Sequence, residues 1–537
     1  MIAKTAMIQT VKRGITMSVM NTKIFQRSVK ICAALTASVL MMTSSANLMT
    51  SSAYSRAGTS SYNRSVTFDT FPAAVNGGEP IRGVDISSIL AIEEAGVVFH
   101  DDKGNEEDIF RVLYDHDVNY IRVRVWNEPN DGKGHGYGGG NNDVKTACEI
   151  GRRAAKYGMK LLVDIQYSDF WADPAKQTRP KYWASHDHNT LSGEIYKWTT
   201  WVLTAITEAG GDIGMVQVGN ETNCFFCGET DMYKICELFA SGNKAVRDFD
   251  RNILIAHHFA NPAKADHFYW YAKIMNECKL DYDVFAASFY PYWHGTPENL
   301  TNVLSTIGNT YNKYVMVAET AYPYTSDDSD GFGNTISQWS TGVDLDYDIS
   351  VEGQAESLTD AFQAIANCGG KGIGVFYWEP AWLGVSGISQ SQQRDNWDRY
   401  GSGWASSYAS EYDQDVTSAG GSSFDNQALF DFRGYPLESL DVFTRIYPKK
   451  NKPEIKWKTR LYGDLDGDGS LSRSDLTLLK NAVIKKCKLD DEQFAVGDVN
   501  ADKKVDINDI ILLDRYLSNK HGSGMDLIGK SRSFELK

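Results

Sequence analysis

The sequence predicts an α/β fold: a (β/α)8 barrel followed by a small all-α domain. Three observations carry that prediction. Short apolar, β-branched runs alternate with amphipathic stretches of helical length. Long loops rich in Gly, Asp and aromatic residues follow several of those runs. Near residue 448 the composition changes, and an internal repeat begins shortly afterwards.

The elements follow in chain order. Lys23, Arg27 and Lys30 precede the apolar segment ICAALTASVLMM and a run of small residues, the layout of a secretory signal over residues 1–53. Cleavage is expected after Ala46 or Ala53, with translation starting at Met17 or Met20, and an N-terminal anchor helix is the alternative. Residues 54–80, rich in Ser, Thr, Gly and Asn, read as a linker. Strands are expected in RGVDIS at 82, YIRVRVW at 120, KLLVDIQY at 160, MVQVGNE at 215, NILIAHHF at 252, VFAASFY at 284, VMVAET at 315 and GIGVFYWEP at 372. Eight strands separated by helices imply parallel βαβ units, which closes a barrel over residues 81–447. An open doubly wound sheet is disfavoured because no GxGxxG opens a helix after the first strand. The Pro- and Lys-rich stretch at 448–460 reads as a hinge, residues 461–521 as a second domain and residues 522–537 as a tail.

The 537 residues, with 42% hydrophobic and 12% aromatic content, suffice for a large core. A surplus of 69 acidic over 54 basic residues, net −15, argues against nucleic acid and anionic membranes as partners. Of eight cysteines, Cys32 lies in the expected signal, so the seven that remain cannot form a complete disulfide framework. Cys224 and Cys227 form a CxxC, which leaves a local disulfide or free packed thiols open.

Two glutamates, Glu221 in MVQVGNET and Glu319 in YVMVAET, each end an apolar run, where barrel enzymes keep their chemistry. Retaining hydrolysis of a glycosidic bond needs one carboxyl that cycles between acid and base and another that attacks the anomeric carbon, roughly 5 to 5.5 Å away. Strand tips four and seven supply such a pair. Asn220, just before Glu221, is suited to hydrogen-bond a substrate 2-hydroxyl.

The repeat GDLDGDGSLSRSD and GDVNADKKVDIND, offset by 34 residues, carries oxygen ligands at calcium-loop spacing. The first copy offers Asp464, Asp466, Asp468, Ser472 and Asp475, with Gly469 at the turn. Asp498, Asn500, Asp502, Asp506 and Asp509 form the second, where Lys503 replaces the glycine and weaker binding is expected. Each loop runs into a single apolar helix without the preceding helix of an EF-hand. This pattern resembles the dockerin domain, which implies a cohesin partner on a cellulosome-type scaffold, with Arg473 and Ser474 in one copy and Ile507 and Asn508 in the other at the recognition positions.

Asn-Glu on strand four with Glu on strand seven resembles the clan A glycoside hydrolases. The resemblance implies Glu221 as acid/base, Glu319 as nucleophile, Tyr290 as the phenol orienting the nucleophile and Trp378 as the floor of the −1 subsite. Arg124 is expected at the same mouth, holding Glu319 ionised. Within the clan, GVDISSI, VNYIRVRVWNEP, GYGGGNND, YSDFWADPAKQ, QVGNETN, AETAYPYT and NQALFDFRG resemble glycoside hydrolase family 53, the arabinogalactan endo-β-1,4-galactanases. That resemblance implies a secreted enzyme acting on the β-1,4-galactan side chains of pectin, with Asp169, Trp171 and Asn261 on the cleft. Gln166 stands where the family usually has His. A structural calcium site is expected from Asp328, Asp330 and Asn334 with Ser422 and Asp425, and Phe332 replaces a family His there. Another clan A endo-glycanase, a mannanase or cellulase, is the rival enzyme; a noncatalytic sugar-binding scaffold protein is the rival of another class.

Overall fold

The computed structural model describes residues 64–446 except 73, and 457–535 except 501–503, 521–524 and 526. The expected signal, the linker up to 63, most of the hinge and Asp502 lie outside the described residues.

Eight parallel strands close a barrel in sequence order: β1 (Ile81–Asp85), β2 (Tyr120–Val125), β3 (Lys160–Ile165), β4 (Ile213–Val218), β5 (Leu254–Ala260), β6 (Val284–Ser288), β7 (Tyr314–Thr320) and β8 (Gly372–Trp378). All eight runs read as strands from the sequence form the barrel. They are apolar on both faces because a parallel barrel buries both. Outward-facing Val123, Val163, Val216 and Val317 pack beneath the helices, while Tyr120, Leu162, Met215, Ala256, Val284, Met316 and Phe376 fill the lower interior. Helices Val144–Lys156, His188–Glu208 and Met232–Phe249 start where Asp143, Asp187 and Asp231 accept hydrogen bonds from first-turn amides.

Side chains alternate across a strand, so the inward positions above this apolar floor can be read by steps of two. They are polar: Asp85, Arg122, Arg124, Asp164, Gln217, His258 and Ser288, all buried. A barrel with an apolar base and a charged upper layer therefore presents its chemistry at the C-terminal ends of the strands.

The carboxy-terminal module packs helices Arg473–Val483, Asp491–Gly497 and Ile507–Leu517 around Leu465, Leu476, Leu479, Val496, Val499, Ile510 and Leu513. A short helix thus precedes the second loop, unlike the first. Met525 and Ile528, from the stretch read as a tail, join this core, and β9 (Trp457–Leu461) pairs antiparallel with β10 (Ser531–Glu535). Among the described residues no helix is long and apolar enough to cross a membrane. All seven described cysteines are free thiols, Cys224 and Cys227 included.

Closure between β1 and β8 requires a glycine at 374. Its φ is 148°, and a Cβ there would stand 2.2 Å from the Ile81 carbonyl oxygen. Gly374→Ala is expected to destabilise the barrel by about 1–3 kcal/mol, as overpacked cores do, read as a lower urea midpoint at unchanged m-value.

Candidate active site

Glu319 owes its position to an irregularity. Met316 and Ala318 face the interior, so simple alternation would send Glu319 outward. A register shift on both sides of β7, at Ala287/Ser288 and at Val317/Thr320, turns the carboxylate into the mouth instead, which is how bulges re-aim side chains. There its Oε1 pairs with Arg122 at 2.8 Å and its Oε2 accepts the Tyr290 hydroxyl at 3.0 Å. Burial raises its proton affinity, and the Arg122 charge opposes that rise.

Glu221 lies beyond β4 in a left-handed conformation, φ 45°, after Gly219. It has no cation in contact. Its Oε1 lies 2.6 Å from Ser288 Oγ, which in turn lies 2.9 Å from His258 Nε2. Burial, and then the nearby Glu319 carboxylate, push its pKa well above the usual range. The two glutamates therefore sit in opposite environments, one braced by a guanidinium and a phenol, the other facing a serine. That asymmetry lets one carboxyl ionise while the other keeps a proton.

Asn220 is almost wholly engaged. Its Oδ1 accepts from Arg122 Nη2 at 2.9 Å, and Nδ2 donates one hydrogen to the Ala172 carbonyl at 2.8 Å. The other Nδ2 hydrogen is left for a ligand.

The expectation for Arg124 is corrected: Arg122 makes the contact with Glu319. Both arginines face inward on β2, but Arg124 Nη2 pairs with Glu379 Oε1 at 2.5 Å and Nη1 with Asp85 Oδ1 at 3.1 Å. Its effect on Glu319 is at longer range. Glu379, missed in the sequence, follows Trp378 at φ 49° and is buried; burial carries its pKa up to about 7 against the pull of Arg124. The clue to it lay in YWEP, where an acid directly follows a strand end.

Aromatic rings surround Arg124. Its guanidinium lies 4.7 Å from the Trp171 ring centroid and 5.7 Å from that of Trp378, and Trp171 stacks on Trp404 at 4.3 Å. Trp378 and Trp171 retain 6% and 7% of their surface, enough to show an edge to the mouth. Asp169 is placed beneath the wall and not on the cleft surface: it is fully buried, and its two oxygens accept the Glu128 and Lys181 amides at 3.0 and 2.8 Å. Asn261, φ 70°, follows β5 with its Oδ1 buried and unpartnered. Gln166 Oε1 accepts from Trp126 Nε1 at 2.7 Å and its Nε2 donates to Asp164 Oδ2 at 3.0 Å, so the amide joins two groups.

The loops after β7 and β8 meet at an acidic cluster. Carboxylate oxygens of Asp328, Asp330 and Asp425 lie within 4.8 Å of one another. Burial, and after it mutual repulsion, push Asp330 up to about 7 and Asp425 up to about 8. Asp425 Oδ1 and Asn334 Oδ1 are buried without a partner. These oxygens fit a hard cation. Ser422 donates its backbone N–H to Asp330 at 2.7 Å, and its Oγ accepts from the Phe424 amide. In the carboxy-terminal module Asp464, Asp466 and Asp468 converge likewise. Asp475 instead accepts the Leu465, Asp466 and Ser472 amides, and Asp509 accepts those of Val499 and Asp506. Ser472 and Asp506 are the N-caps of the helices that follow. Asp498 is buried at the start of the second loop, with Asn500 two residues on.

A (β/α)8 barrel whose mouth holds two glutamates in opposed environments is the architecture of a glycoside hydrolase. Residues 81–443 match the model for glycosyl hydrolase family 53, and residues 462–518 match the type I dockerin domain. The chain belongs to glycosyl hydrolase family 53. It is 53% identical to the endo-β-1,4-galactanase of Bacillus subtilis over 68% of this chain and 85% of that one. Identity to the arabinogalactan endo-β-1,4-galactanase of Cellvibrio japonicus is 33%, over 56% and 80%. Among solved structures, the family 53 catalytic domain of Ignisphaera aggregans superposes with a TM-score of 0.62 at 34% identity, covering 72% of this chain and 99% of that one.

Arg122 holds Asp85, Asp164 and Glu319 together. Arg122→Met is expected to cost about 3–5 kcal/mol at pH 7, the usual loss when one partner of a buried ion pair is removed. Without the guanidinium the burial of Asp164 and Glu319 is unopposed and they bind protons where the unfolded chain has released them, so stability falls as pH rises. The deficit measured by denaturant should therefore be smaller at pH 5 than at pH 7.

Proposed function

We propose that this chain is a secreted endo-β-1,4-galactanase that cleaves the β-1,4-galactan side chains of pectin with retention and is held on a scaffold through its dockerin module. The observation that carries the mechanism is the contrast at the two glutamates: Glu319 pairs with Arg122 and Tyr290, whereas the Glu221 carboxyl has, among the described residues, Ser288 as its hydrogen-bond partner. The substrate is inferred from the 53% identity to the Bacillus subtilis endo-β-1,4-galactanase.

On this reading Glu319, kept ionised by Arg122, attacks the anomeric carbon as Glu221 protonates the departing glycosidic oxygen. A glycosyl ester on Glu319 results, and the C–O bond to the leaving sugar breaks. Glu221, now a carboxylate, takes a proton from water, whose oxygen displaces Glu319 and restores the β configuration. Tyr290 steadies Glu319. The remaining Nδ2 hydrogen of Asn220 meets the 2-hydroxyl, and Trp378 supports the sugar at −1. Secretion is supported by the basic and then apolar segment around Lys23–Met42.

Calcium is proposed as structural, in the two dockerin loops and at Asp328, Asp330 and Asp425. The oxygen-only donors suit it, and crowding of carboxylates favours any cation that neutralises them. A cohesin is the proposed scaffold partner of the dockerin module, which matches the type I family.

Linear β-1,4-galactan, mannan and carboxymethyl-cellulose offered side by side test the reading. Release of β-configured galacto-oligosaccharides from galactan alone is expected; attack on mannan or cellulose would replace the substrate assignment, and no release from any would favour a sugar-binding protein. Glu319→Ala should lose on the order of 10⁴-fold or more in kcat, as removal of a covalent nucleophile does. Glu221→Ala should lose about 10²–10⁴-fold, recovered in part by azide as β-galactosyl azide. Chelation should lower the thermal midpoint and abolish cohesin binding, both restored by calcium.

A further inference from the structure

The hydrogen-bonded chain behind Glu221 does not balance if every group has its ordinary protonation. Four residues make three contacts: Asn220 Oδ1 to His258 Nδ1 at 2.9 Å, His258 Nε2 to Ser288 Oγ at 2.9 Å, and Ser288 Oγ to Glu221 Oε1 at 2.6 Å. Each contact needs one proton. A neutral imidazole supplies one and a serine hydroxyl one, which leaves one contact short.

The direction of the chain is set at its far end. Arg122 Nη2 lies 2.9 Å from Asn220 Oδ1, and a guanidinium only donates, so that oxygen is an acceptor. The Asn220 amide cannot turn over, because its Nδ2 is bound to the Ala172 carbonyl at 2.8 Å. At 2.9 Å from this acceptor, His258 Nδ1 must carry the proton. Gln217 Nε2 also approaches Nδ1 at 3.1 Å, but it lies closer to Asp164 Oδ1, at 2.7 Å, and as near to Asn220 Oδ1, at 3.1 Å. Complete burial, and after it the Arg122 charge, keep His258 neutral, so its Nε2 is a bare lone pair. Ser288 then gives its only proton to Nε2.

We propose that Ser288 and His258 accept, and do not supply, the proton at the 2.6 Å contact with Glu221, so that this pair holds Glu221 in its acid form between turnovers. The inference rests on the acid/base reading of Glu221 and deepens it: His258 and Ser288 are positioning residues. No proton is created or lost. The carboxyl O–H points to Ser288 Oγ in the resting site and turns to the glycosidic oxygen when substrate arrives; once the proton has gone, the Ser288 hydroxyl stays donated to His258 Nε2 until Glu221 takes a proton from water. The other groups acting on Glu221 are Glu319, Asp173, Arg122 and Tyr290, and those acting on His258 are Arg122 and His294.

The sign of one shift tests the proposal. Hydrogen bonding to the protonated carboxyl raises its pKa, whereas a donor to the carboxylate would lower it. Ser288→Ala is therefore expected to move the alkaline limb of the kcat/KM profile down by about one pH unit, a tenfold weaker hold on the proton, with Ser288→Thr restoring it. A limb that moves up overturns the proposal. Independently of activity, NMR of the ¹⁵N-histidine-labelled full chain should show His258 neutral with its proton on Nδ1. A proton on Nε2 alone, or on both nitrogens, overturns it too. If Glu221→Ala gains nothing from azide, the acid/base assignment fails instead, and the His258 tautomer still decides the direction of the chain.

Discussion

Arg122 is the residue on which the rest of the barrel mouth depends. It is fully buried, donates from Nε to Gln217, from Nη1 to Asp85 and from Nη2 to Asp164 and Asn220, and its Nη1 pairs with Glu319 at 2.8 Å. Such pairing offsets the desolvation of a buried guanidinium, which uncompensated costs several kcal/mol. Satisfying it draws together the tips of β1, β2, β3, β4 and β7. The same demand sets the charge state of the site. Two guanidiniums, Arg122 and Arg124, face five carboxyls, Asp85, Asp164, Glu221, Glu319 and Glu379, so the buried layer cannot hold all five ionised. Asp164 and Glu379 are carried up to about 6 and about 7 by burial, and Glu221, with no cation in contact, rises well above its usual range. The upward shift of Glu221 thus comes from its burial and from the neighbouring Glu319 carboxylate, and Arg122, which opposes it, is taken up by other partners.

Above this layer the loops hold one another. Gly139 and Gly140, in the loop after β2, donate to carbonyls of Gly403 and Gly401 after β8, and Trp171, after β3, donates to the Trp404 carbonyl. The packed Trp126, Trp171, Trp382 and Trp404 rings exclude water from the Arg124 side of the mouth, and exclusion of water strengthens every charge interaction beneath. The loops after β7 and β8 meet through Asp330 and Asp425, which bind backbone amides of Ser422 and Ser329. Loop strength there depends on carboxylates that repel one another, so a cation between them would convert repulsion into a tie.

Much of this was legible in the chain. Eight apolar runs, two glutamates and a duplicated acidic loop are local patterns, and local patterns survive into structure when burial on both faces or a ligand shell demands them. Partner choice was not legible. Arg122 and Arg124 share a strand and a face, and only the depth of each in the closed barrel decides which one reaches Glu319. Alternation along β7 even points Glu319 the wrong way, and a register shift made by its neighbours corrects it. The family resemblance implied a cleft position for Asp169, yet its side chain is buried and backbone amides twelve and forty-one residues away claim both oxygens.

What the sequence by itself determined is therefore the class of each part: which segments are strands, where the acids stand along them, and that a second module with duplicated acidic loops follows. These depend on interactions between residues near in the chain, through the period of a strand and the spacing of a loop. Only the tertiary structure decided which carboxyl is braced by a guanidinium and a phenol and which faces a serine, because that depends on Arg122, Tyr290, Ser288 and His258, which come from strands far apart in sequence and meet only when the barrel closes.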